Sequence, residues 1–106
     1  MTAHADFAAV NAAALPALEA LCGRWLPGGR RIGPEWRCGS LAGEEGGSLG
    51  VRLTGRRAGC WADFATGEKG GDAVSLAAAI FRISQVEAAR RLATMLGLTP
   101  EGNRHG

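Results

Sequence analysis

The residues best suited to chemistry lie in one short run, Trp61-Ala-Asp-Phe-Ala-Thr-Gly-Glu-Lys-Gly-Gly-Asp72. It holds two aromatic rings, one lysine, a pair of glycines and an aspartate that opens an apolar stretch. Each type has a use against a polyanion. Aromatic rings offer stacking platforms, and a lysine neutralises phosphate. Two glycines let backbone amides come close to an anion at a helix start. Arg52, Arg56 and Arg57 precede the run and extend its basic character. The ordinary accounts are a tight strand-to-helix turn at Gly70-Gly71, a capping role for Asp63 and a solvated Lys69. Of Trp61 and Phe64, the strand alternation sends one inward, and Phe64 is expected to be the core residue. Trp25 and Trp36 are also expected in the core.

Other chemistry is less well served. Cys22, Cys38 and Cys60 are odd in number, which does not suit a disulfide framework. They contain no C-x-x-C or C-x-x-H pair, the usual knuckle of a structural zinc site. His4 and His105 sit near the chain ends, so no cofactor or metal is expected. Asp6, Asp63 and Asp72 form no carboxylate cluster of the kind that holds two metal ions for nucleotidyl transfer. Gly-Lys-Ser/Thr is absent, which excludes a Walker A loop. No catalytic set is visible.

The elements that must position the run follow from patterning. Phe7, Val10, Ala14, Leu18, Leu21 and Trp25 recur at helical steps over about 5–26. Pro16 makes this either two pieces or one kinked helix. Glu35–Cys38 reads as a short strand, and 39–47 as a polar loop. Leu49, Val51 and Leu53 alternate with small or charged residues, as in a strand with one buried face. Thr54–Gly59 is a turn and Cys60–Phe64 the returning strand. The sheet is therefore expected to be antiparallel, with about three strands. Asp72 stands as N-cap of an apolar helix. Ser84-Gln-Val-Glu87 reads as a capping box for a last helix, with Val86, Ala89, Ala93 and Leu96 on its buried face and Gly97 at C′. The fold class is α+β. One domain is expected over 1–98, with the sheet at about 35–64 and a helix pair at about 72–97, followed by a flexible tail at 99–106.

Trp61-Ala-Asp-Phe, Lys69-Gly-Gly-Asp72, the apolar helix and Ser84-x-x-Glu87-Ala-Ala-x-x-Leu92 together resemble the N-terminal zinc-ribbon domain of bacterial and phage DNA primases. The similarity runs over roughly residues 35 to 98, and Gly47-Ser48-Leu49 stands where primase-like proteins of prophages and mobile elements have a similar strand start. The family's metal-ligand pairs are missing. Arg37–Glu45 and Ala62–Gly67 stand in their places, so the chain looks like a ribbon that has lost its metal, with the 5–26 helix supplying core in exchange.

The resemblance implies contact with single-stranded DNA template during replication priming, at Trp61, Lys69, Gly70 and Gly71, with Arg52, Arg56 and Arg57 alongside. It implies a module beside a primase catalytic or helicase subunit rather than a catalyst. The alternative is a regulatory or protein-interaction module that keeps the scaffold without DNA binding, a reading the formal net charge of only +2 favours. No signal pattern or bilayer-spanning run is present, so a cytoplasmic location is expected.

Overall fold

A computed structural model of the chain describes residues 6–98. The expected tail at 99–106, His4 and His105 lie outside the described residues. The fold is α+β. Helices α1 (Phe7–Ala14) and α2 (Leu18–Trp25) are followed by strands β1 (Arg30–Ile32), β2 (Glu35–Cys38), β3 (Leu49–Arg52), β4 (Trp61–Asp63) and β5 (Lys69–Gly70). Helices α3 (Ala73–Phe81) and α4 (Gln85–Met95) close the order.

Pro16 sits in a 3-10 turn, Leu15–Ala17, between α1 and α2. This is the two-piece outcome: proline lacks the N–H that a continuous helix needs at this point. Asp6 caps α1 by accepting from Ala9 N at 3.0 Å. The spacing-derived face holds in part: Val10, Ala14, Leu18 and Leu21 are buried, while Phe7 is exposed.

The sheet has five strands in sequence order, all antiparallel neighbours, rather than about three. The additional strands are the two edges. β1 is Arg-Arg-Ile with every residue exposed, and β5 is two residues long. Neither has a buried stripe to give alternation, so their pairing comes from turns. Gly33, at φ 60°, and Pro34 join β1 to β2 as a two-residue hairpin loop with Ile32 opposite Glu35. Asp63 organises the loop to β5: its Oδ1 accepts from Ala65 N at 2.9 Å, and its carbonyl accepts from Gly67 N at 2.8 Å. This explains a carboxylate only 2% exposed, in the capping role.

The inner face of the sheet carries Trp36 and Cys38 of β2, Leu49 and Val51 of β3, and Trp61 of β4. They join Val10, Leu18, Leu26, Val74, Leu76 and Leu92 from the helical layer in one core. Trp36 donates its indole N–H to the Leu26 carbonyl at 3.1 Å, which ties β2 to the end of α2. Arg31 of β1 reaches Glu19 of α2 at 2.7 Å.

At α3 the cap is reciprocal. Ser75 N donates to Asp72 Oδ1 at 2.8 Å, while Ser75 Oγ takes the Asp72 N–H at 3.4 Å. At α4 only half of the expected box forms. Ser84 Oγ accepts from Glu87 N at 3.1 Å, but the Glu87 carboxylate turns to Arg91 at 3.0 Å. Of the expected face, Ala89 is buried and Ala93 and Leu96 pack against the core, but Val86 is exposed, and Ala88 and Leu92 complete the buried stripe. With Val86 in the first turn, the stripe is set by packing on α3 one position further round. Gly97, at φ 75°, ends α4 with paired bonds, Leu98 N to Ala93 O and Gly97 N to Thr94 O. Among the described residues, no helix is long and apolar enough to cross a membrane.

Candidate nucleic-acid interface

Strand alternation assigns every residue of the sheet to one of two faces. Trp61 pairs with Val51 across β4 and β3, and Val51 is fully buried. Trp61 therefore points inward. It is 5% exposed and donates its indole N–H to Ser75 Oγ of α3 at 3.0 Å. Phe64, three residues on, emerges from the other face and is 72% exposed. The sequence expectation is thus reversed for this pair: Trp61 is core and Phe64 is presented. The reason is parity. Cys60, Ala62 and Phe64 share the outer side of β4, and Trp61 and Asp63 share the inner.

The outer face follows from the same registers. Arg37 lies opposite Gly50, Gly50 opposite Ala62, and Ala62 opposite Lys69. One step along, Glu35 lies opposite Arg52. Arg30 extends the row beyond Arg37. Part of this row borders an open groove of about 580 Å³ whose lining includes Glu35, Arg52, Arg57, Phe64 and Lys69, with Arg30 and Arg37 outside the lining. Its centre is low because Gly50 and Ala62 contribute almost no side chain. A Cβ at Gly50 would lie 3.3 Å from Cζ of Arg37, so glycine lets that guanidinium lie down on the strand. The same guanidinium sits 5.8 Å from the centre of the Phe64 ring, within cation–π range.

The cations in and beside the groove differ in how they are held. Arg37 is fixed: Nε and Nη2 meet Glu35 Oε1 at 2.9 and 2.8 Å, and Nη1 donates to the Gly47 carbonyl at 2.9 Å. Arg52 has only a 3.7 Å contact to Glu35 Oε2. Its Nε is buried and finds no acceptor among the described residues. Arg57 and Lys69 form no ion pair among the described residues, and both are exposed.

Not every sequence-derived site residue joins this set. Arg56 is exposed on the 54–59 turn but does not line the groove. Gly70 lines its edge for a packing reason: a Cβ there would collide with the Trp61 indole and Ser75 Oγ. Gly71 has open space around it. The amides that follow are already used, since Val74 N donates to Asn11 Oδ1 at 2.9 Å and Ser75 N to Asp72. At the start of α3 the Val74 and Ser75 amides are therefore engaged within the fold. Phe64, Arg37 and Glu35 are the site residues that sequence reasoning passed over. The two-residue parity of β3 and β4, taken together, was the signal for Phe64.

The cysteines divide by burial. Cys22 and Cys38 lie in the core, and burial pushes the Cys22 thiol up to about 12, with the neighbouring Cys38 and Glu19 adding to the rise. Cys38 is raised as well, again chiefly by burial. Cys60 lines the groove. Among the described residues no three His, Cys, Asp or Glu side chains come together as a metal site.

No protein-family model, curated protein or solved structure matches the chain.

Proposed function

We propose that this chain is a single-stranded-DNA-binding module of the primase ribbon type, from a phage or mobile element, which contacts template beside a separate primase catalytic or helicase subunit and does not itself catalyse. The observation that carries the reading is the outer sheet face. It combines one presented aromatic ring with Arg52, Arg57 and Lys69 around a low floor of Gly50 and Ala62. An unpaired base stacks on Phe64, and the flanking phosphates fall to the three cations. Base–aromatic stacking is worth about 1–3 kcal/mol per base, and it is open only to unstacked bases, which favours a single strand over a duplex. A DNA-contacting role for Trp61 is confined to the edge it shows in the groove. Gly70 acts by letting β5 pack against the Trp61 indole, and Gly71 leaves open space beside it.

Fluorescence anisotropy with a labelled oligothymidylate tests this. The expected result is binding that weakens steeply with salt, and a salt slope about 1.4 lower when Arg57 and Lys69 are both alanine, at about 0.7 per phosphate contact on single strands. Salt-independent binding, or none, contradicts it.

The second reading, a protein-interaction or regulatory module, is favoured by a different observation. Trp25, Phe81, Ile83 and Met95 line an apolar hollow of about 90 Å³ at the helical end, where the Trp25 and Phe81 rings meet edge to face at 5.7 Å. Absence of DNA binding together with an intact fold supports that alternative.

A further inference from the structure

Among the described residues Glu35 is the only carboxylate lining the groove, and it meets two arginines, Arg52 of the lining and Arg37 beside it. We infer that Glu35 is an internal competitor for the phosphate of the bound strand and so limits how tightly the groove holds it; the inference rests on the single-strand reading above.

The two arginines are held unequally. Arg37 has three polar contacts at 2.8 to 2.9 Å and its guanidinium lies on Gly50, so it is held in place beside the groove. Arg52 has one contact at 3.7 Å, beyond hydrogen-bond reach, and a buried Nε without an acceptor among the described residues. Its donors are the exchangeable ones. A phosphate oxygen forms charge-assisted bonds to guanidinium at about 2.7–2.9 Å, shorter and stronger than the present contact. A phosphate seated on Arg52 then faces the Glu35 carboxylate across the same guanidinium. Like charges placed together at an interface weaken it and suppress wrong registers. Arg37 cannot relieve this by drawing Glu35 away, because it already uses Oε1.

The consequence is a brake built from one side chain. With Glu35 in place, Arg52 contributes only part of its charge to the strand, and Arg57 and Lys69 make the full contacts. Removing the negative charge releases Arg52 to a phosphate.

The test compares oligothymidylate binding by the wild-type chain, Glu35→Gln and Glu68→Gln over a salt series. Glu68 is exposed just before β5 and forms no ion pair among the described residues, so its variant changes net charge equally without freeing an arginine. Glu35→Gln is expected to bind about three- to tenfold tighter, the range that one or two exposed ion pairs convert to. Its salt slope is expected to steepen by about 0.7, one added phosphate contact. Glu68→Gln is expected to stay within about twofold of wild type, as a screened charge without a direct contact. Glu35→Asp keeps the charge but withdraws it by one methylene, and is expected to tighten binding to a smaller degree. It carries the test if the glutamine variant fails to fold.

Equal or weaker binding by Glu35→Gln, or equal tightening by Glu68→Gln, overturns the brake while leaving the single-strand reading intact. Weaker binding would mean that Glu35 supports the strand, directly or by holding Arg37, rather than competing with it. Failure of wild type and both glutamine variants to bind overturns the single-strand reading and the brake with it.

Discussion

The two faces of one small sheet have opposite chemistry although they alternate residue by residue along the same strands. The inner face puts Trp36, Cys38, Leu49, Val51 and Trp61 against the helices. The outer face of the same strands carries Glu35, Arg37, Gly50, Arg52 and Ala62 on the side away from the helices, with Phe64 just past the end of β4. The aromatic residue that stabilises and the aromatic residue that is available to a ligand are three positions apart. Aromatic character is thus a poor guide to role; parity within the strand decides it, and the neighbour across the ladder reports the parity. The inner indole has a polar partner, Ser75, as a buried indole N–H requires. The outer ring has a guanidinium, that of Arg37, at its face.

The comparison breaks most visibly at Trp61. Trp61→Ala removes a buried ring and takes from Ser75 Oγ the nearer of its two donors, so a loss of about 3–5 kcal/mol of stability is expected in urea unfolding. Phe64→Ala is expected to stay within about 0.5 kcal/mol of wild type in the same measurement, as an exposed side chain should. Equal losses at the two positions would contradict the assignment of faces.

A second effect follows from the buried thiols. The folded-state value of Cys22 is raised from 9.0 to about 12, so the unfolded chain releases this proton first as pH rises. The stability that Cys22 contributes is complete below pH 9 and is lost progressively between pH 9 and about 12, at up to about 1.4 kcal/mol per pH unit. Melting curves across that window are expected to show the decline, and Cys22→Ala to flatten it. The core behind the sheet therefore carries an alkaline sensitivity whose source is Cys22 on α2.

The smallest effect concerns the start of α3. Asn11→Ala takes the acceptor from Val74 N and is expected to cost about 1 kcal/mol by thermal melting. Its effect on oligonucleotide affinity is expected to be less than twofold, because these amides serve the fold and not a ligand.

Much of this was legible in the chain. The alternation at Leu49, Val51 and Leu53, the cap at Asp72 and the stop at Gly97 each have a local cause, and each stands where that cause puts it. β1 and β5 were not legible, because edge strands bury nothing and pair through the geometry of the turns beside them. Phe64 was misread because its strand was considered alone. Three residues of β4 do not fix a phase; the ladder to β3 does, since Val51 is buried and opposes Trp61. Gly70-Gly71 was legible as a turn, but not the Trp61 indole that a side chain at 70 would displace. That contact joins two segments through packing and leaves no mark in local sequence. The relation between Glu35, Arg37 and Arg52 depends likewise on a hairpin register that composition does not encode.

The central claim is that the outer sheet face binds an unpaired base through Phe64. The most direct measurement is the affinity of Phe64→Ala for a labelled oligothymidylate, with unfolding followed on the same sample and Phe64→Trp as the restoring variant. A loss of about 5- to 150-fold is predicted for alanine, the equivalent of about 1–3 kcal/mol of stacking, with stability unchanged and affinity recovered by tryptophan. Unchanged affinity in Phe64→Ala, with wild-type binding intact, would contradict the account.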